Sequence, residues 1–124
     1  MIEILIVVNE KESLNAFSSA LAEEGADIFW AASGGEALRL VSEKQYTLLM
    51  TAETLPDMSG LELAKKTVMT NPMINLAVMS ALSSKEFHEA SEGLGILARL
   101  PVEPDAAQAE NLVQKLNVIT GRNL

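Results

Sequence analysis

The chain has 124 residues, 48% of them hydrophobic, with 9 basic and 17 acidic side chains for a net charge of -8. That length suits one compact domain over residues 1–124 with a single core's worth of apolar surface. The charge opposes contact with nucleic-acid phosphates or an anionic membrane surface, so neither nucleic acid nor membrane is expected as a partner. No cysteine is present, which removes disulfides, thiolate catalysis and zinc–thiolate sites and agrees with a reducing, cytoplasmic setting. The apolar run Ile4–Val8 is too short to span a bilayer, and no basic segment precedes it as in a signal peptide.

Ile4-Leu5-Ile6-Val7-Val8 is continuous, apolar and β-branched, the pattern of a strand buried on both faces of a parallel sheet. Leu14, Phe17, Ser18 and Leu21 share a helical face ahead of Gly25, which suits a left-handed helix end. A second strand is expected over Asp27–Ala32, a turn at Ser33-Gly34-Gly35, and a second helix over Glu36–Lys44 with Ala37, Leu38, Leu40 and Val41 as its apolar stripe. Thr47–Thr51 reads as the third strand. The Pro56–Gly60 turn then leads into a third helix with Leu61, Ala64 and Val68 on one face, stopped at Asn71-Pro72.

Ile74–Ser80 reads as the fourth strand, and Ser83 followed by Glu86 is an N-terminal capping signature for the fourth helix, closed by Gly93 and Gly95. A weak fifth strand spans Ile96–Leu100 before Pro101. The fifth helix follows Pro104-Asp105 and carries Ala109, Leu112, Val113, Leu116 and Ile119 at helical spacing. Five strand–helix units with right-handed crossovers predict an α/β fold: a flavodoxin-like, doubly wound, five-stranded parallel sheet of order 2-1-3-4-5 with five helices. Its crevice lies outside the carboxyl ends of the strands, near the first and third.

The stretch Leu55-Pro56-Asp57-Met58-Ser59-Gly60-Leu61-Glu62-Leu63 resembles the segment of response-regulator receiver domains of two-component phosphorelay systems that follows the phosphorylated aspartate. Gly35-Glu36-Ala37-Leu38, Ser80-Ala81 and Pro101 extend the resemblance over nearly the whole chain. The resemblance places the acceptor four residues before Pro56, where this chain has Ala52, a side chain with no oxygen to attack a phosphoryl donor. The acidic pair that holds magnesium in the family aligns with Val8 and Asn9, the conserved lysine with Leu100, and the switch aromatic with Leu97; only the hydroxyl at Ser80 survives. The resemblance therefore implies a degenerate pseudo-receiver with no cofactor and with magnesium binding lost or very weak. An enzymatic role is not expected, because the crevice offers the hydroxyls of Ser80, Ser83, Thr51 and Thr54 without a credible base. Expected partners are a histidine kinase, an output domain or a second copy, met through the fourth helix, fifth strand and fifth helix.

Two departures stay open. Glu53, one residue beyond Ala52, would face away by strand alternation unless a bulge re-aims it, in which case it could imitate a phosphorylated aspartate. Glu10, Glu53 and Glu103 could also gather around a cation, against the plainer reading of solvated loop carboxylates. Asp57, beyond the proline, is the wrong candidate for a buried acceptor. His88 reads as a surface residue, Trp30 as packing or a partner anchor, and Met50, Met58, Met69, Met73 and Met79 as core and loop filling. A rival function is a flavodoxin-like small-ligand module using the same crevice, although Val8-Asn9-Glu10-Lys11-Glu12-Ser13 has no glycine and two glutamates where a phosphate loop would lie.

Overall fold

A computed structural model describes residues 2–121. Its strands are β1 (Glu3–Val7), β2 (Asp27–Ala31), β3 (Leu48–Thr51), β4 (Asn75–Met79) and β5 (Ala98–Leu100). Its helices are α1 (Asn15–Glu23), α2 (Gly34–Glu43), α3 (Gly60–Thr70), α4 (Ser84–Ala90) and α5 (Ala106–Thr120). The strands pair in parallel in the order β2-β1-β3-β4-β5, as the strand–helix alternation predicts.

Strand alternation divides the interior into two layers. Ile4 and Ile6 of β1, Leu48 and Met50 of β3, and Ala77 and Met79 of β4 pack on one face against Phe17 and Leu21 of α1 and Leu112, Val113 and Leu116 of α5. Leu5 and Val7, Leu49, and Leu76 and Val78 point the other way, toward Ala37 and Val41 of α2, Leu63 and Ala64 of α3, and Phe87 of α4. This is why β1, β3 and β4 read as unbroken apolar runs: both of their faces are covered. The edge strand β2 is less buried, and its Phe29 meets Tyr46 edge-on at 5.5 Å between ring centroids.

The helix starts follow their capping chemistry. Ser33, Ser59 and Ser83 accept from the backbone N–H three residues on, and Ser83 with Glu86 and Asp105 with Gln108 complete reciprocal capping boxes. Gly25 has φ 92°, the left-handed geometry expected for the end of α1.

Several boundaries differ from the sequence reading. The segment Lys11–Leu14 is a 3-10 turn, so α1 begins only at Asn15, although Leu14 is buried as expected. The buried face of α3 is Leu63, Ala64 and Thr67, with Leu61 and Val68 only partly covered; Thr67 is tolerated inside because its hydroxyl donates to the Leu63 carbonyl at 2.7 Å. Ile119 is 52% exposed rather than part of the stripe. Met69 and Met73 are also exposed, at 85% and 86%, against the expectation of packing, and no contact accounts for them.

Candidate functional site

The loops at the carboxyl ends of β1, β3, β4 and β5 converge as the doubly wound topology requires. Val8, immediately beyond β1, is held by its N–H on the Ala31 carbonyl at 2.9 Å, and its side chain packs on the α1–α5 layer. Ala52, immediately beyond β3, donates its N–H to the Val7 carbonyl at 2.9 Å and packs against both layers. Leu97 packs on the same α1–α5 layer, and Leu100 belongs to it at 5% exposure. Val8 and Ala52 are thus partly buried against the layer to which Leu100 belongs, all three with apolar side chains at the carboxyl ends of their strands, while Leu97 packs on the same layer just before the start of β5.

The polar groups lie at its margin. Asn9 and Glu10 are exposed; the Glu10 carbonyl accepts from the N–H and hydroxyl of Ser13 at 3.3 and 2.9 Å. Ser80, 3% exposed, gives its N–H to the Leu100 carbonyl at 2.9 Å. The Ser80 hydroxyl donates to Glu53 Oε2 at 3.1 Å and accepts from the Leu82 N–H at 3.1 Å. The same Oε2 accepts the Ala81 N–H at 2.7 Å. Glu53 is therefore not a freely solvated loop carboxylate. β3 ends at Thr51, so strand alternation no longer governs residue 53, and its backbone is fixed separately: the Glu53 carbonyl accepts from the Gly60 N–H at 3.0 Å. Glu10, Glu53 and Glu103 do not assemble into a cation site; among the described residues no group of three or more His, Cys, Asp or Glu side chains is placed to hold a metal.

Two contacts of the β3–α3 loop were not legible as pairs in the sequence. Asp57 is exposed, and its two carboxylate oxygens accept the Gly34 and Gly35 N–H groups at 2.9 and 2.8 Å, clipping the loop onto the start of α2. The Gly34 bond, then the Gly35 bond, hold its carboxyl below its ordinary value of 3.8. Gly60 is compulsory for a steric reason, since a Cβ there would come within 2.2 Å of the Ala52 carbonyl oxygen. Arg99, on β5, reaches the Ser80 carbonyl with Nη1 at 3.5 Å.

Two recesses flank this centre. One of about 280 Å³ lies over β1 and β2, lined by Val8, Asn9, Lys11, Glu12, Trp30 and Glu36; Trp30 is partly buried there with Lys11 Nζ 5.8 Å from its ring. The other, about 450 Å³, runs between α4 and β5 past Phe87, the exposed His88, Leu97, Arg99 and Lys115.

A parallel sheet of this order, covered by helices on both faces and with its loops gathered at the carboxyl ends of β1 and β3, defines the flavodoxin-like doubly wound class. Within it, the chain belongs to the response regulator receiver domain family, whose model matches residues 4–116. It is similar to the sporulation initiation phosphotransferase F of Bacillus subtilis, 24% identical over 116 residues that cover 93% of this chain and 94% of that protein. It also resembles the transcriptional regulatory protein ZraR of Salmonella typhimurium, 31% identical over 85 residues, 68% of this chain but only 19% of that longer protein. Among solved structures, a CheY-like receiver domain protein of Methanospirillum hungatei superposes with TM-score 0.84 at 25% identity over 99% of both chains. The chemotaxis response regulator CheY4 of Vibrio cholerae superposes with TM-score 0.83 at 19% identity over 94% of this chain and 98% of that one, a likeness of fold.

Proposed function

We propose that this chain is a receiver-like signalling domain of a two-component system that works without aspartyl phosphorylation and acts, in the cytoplasm, through protein contacts. The observation that carries this reading is the set of apolar side chains Val8, Ala52 and Leu100 at the carboxyl ends of β1, β3 and β5, where phosphoryl transfer would need a nucleophilic carboxylate, a metal and a cation. A magnesium ion is the metal the family implies, and the donors present do not fit it. Magnesium requires several hard oxygens in near-octahedral array, whereas Val8 and Ala52 offer alkyl groups, Asn9 offers one amide, and the Glu53 oxygen that bonds inward is taken by Ser80 and Ala81.

No enzymatic role is part of this proposal: the Ser80 hydroxyl that meets the Glu53 carboxylate is 3% exposed and shielded from a substrate. Contact with a kinase, an output domain or a second copy through α4, β5 and α5 is supported by the recess beside Phe87, Leu97, Arg99 and Lys115. It is supported as well by the exposed Val118 and Ile119 on the adjoining face of α5, at 77% and 52%. The test is an intact-mass and peptide map of the protein after incubation with magnesium and acetyl phosphate. No phosphoryl adduct is expected; an adduct on Glu53 or Asp57 would sink the reading.

A further inference from the structure

Of Glu10, Glu53 and Glu103, the first and last are exposed, while Glu53 is half-buried and directed inward. Its Oε2 takes two donors from a segment 27 and 28 positions away, the Ser80 hydroxyl and the Ala81 N–H. Ser80 is held in turn by Leu82, whose N–H donates to the same hydroxyl. Three consecutive residues at the exit of β4 are thus organised by one carboxylate delivered from the exit of β3. The delivery is rigid: the Gly60 N–H holds the Glu53 carbonyl, and an antiparallel bridge between Thr54 and Ser59 closes the loop behind it.

Accepting on the ionised oxygen makes these bonds charge-assisted, and such bonds are shorter and about twice as strong as neutral ones. The 2.7 Å Ala81 contact is in that range. Ser83, which caps α4, follows only two residues after Ala81, so the position of Ala81 sets where α4 begins.

We propose that Glu53 is an intramolecular ligand: its carboxylate fills the Ser80–Ala81 niche as an oxyanion supplied in cis, closes that niche to any external oxyanion, and holds the β4–α4 loop, and with it the α4 side of the α4–β5 recess, in one position. Glu53 is a positioning residue in this account. The proposal rests on the reading of an unphosphorylated site given above and adds how that site stays fixed without a phosphoryl group.

Amide hydrogen exchange and chemical shifts of Ala81 in the 124-residue chain test it. In E53A the Ala81 amide should exchange at least about tenfold faster than in the wild type, with shift changes running through Leu82 into α4. Titrated acetate, a carboxylate able to enter the vacated niche, should return the Ala81 shift and protection toward wild type, and acetamide should do so less. The uncharged E53Q, which disturbs packing least, should give intermediate protection. Wild-type behaviour of Ala81 in E53A or in E53Q, or a loss of protection in E53A that acetate fails to reverse, overturns the proposal. Those outcomes are separate from failure of the underlying reading, which is seen as a phosphoryl adduct on the wild-type chain.

Discussion

If the apolar cluster at the strand ends is a compensated set, restoring single family residues should hurt and restoring them together should hurt less. The perturbation is A52D, L100K and the double variant. Leu100 is 5% exposed within the α1–α5 layer, so replacing it by lysine removes a leucine side chain's burial, about 2–3 kcal/mol, and drives an ammonium toward an apolar site. The single L100K variant should therefore lose about 3–4 kcal/mol, partly relieved if the amine reaches solvent. A52D places a carboxylate against both core layers, at a cost of about 1–3 kcal/mol. Only β4 separates the ends of β3 and β5, two strand spacings or about 9.5 Å, a gap that an extended lysine and an aspartate span together. The double variant should thus recover at least about 1 kcal/mol relative to the sum of the singles. Urea unfolding of all four proteins, with midpoints and slopes fitted together, measures this coupling. Additivity within about 0.5 kcal/mol, or an A52D variant as stable as the wild type, would refute the idea that these positions compensate one another.

Other expectations follow from single contacts. G60A should be destabilised by roughly 2–3 kcal/mol or more in thermal or urea unfolding, because its methyl group meets the Ala52 backbone carbonyl at 2.2 Å, which cannot step aside as a side chain could. G93A, with φ 85° and open space around the added Cβ, should cost only about 1 kcal/mol from backbone strain. For Asp57 the folded-state carboxyl titrates below its unfolded value of 3.8, so the unfolded chain binds more protons between the two values. Its stabilising effect is therefore fully present above that region and is lost as pH falls through the lowered value; D57N should be less stable than wild type at neutral pH, with the gap closing below 3.8 in a pH series of urea midpoints. S83A should lose about 1 kcal/mol by removing the hydroxyl that accepts the Glu86 N–H at the start of α4, seen as fraying of that helix in amide exchange.

Much of the fold is readable in one dimension because local rules and burial agree. Ile4–Val8 is apolar at every position since both faces of β1 are covered, and Ser83 with Glu86 announces α4 by a pairing only three residues apart. The stripe on α3 was harder to read. Leu61 and Val68 look like better core residues than Thr67, and only the hydroxyl's bond to Leu63 explains how a threonine goes inside. The 3-10 turn over Lys11–Leu14 carries no composition that separates it from a first helical turn. At the site, Ala52, Val8 and Leu100 stand out by what they lack, and the fold sets all three on the α1–α5 layer at the strand ends. The grip of Glu53 on Ser80 and Ala81, and of Asp57 on Gly34 and Gly35, joins residues 22 to 28 positions apart, a pairing that no local pattern encodes.

An amide NMR titration of the wild-type protein with magnesium and then acetyl phosphate reads whether the end of β3 takes part in phosphoryl chemistry. On the proposed reading the resonances of Asn9, Ala52, Ser80 and Leu100 stay where they are through both additions. Saturable shifts at those residues that spread into α4 and β5 would contradict it.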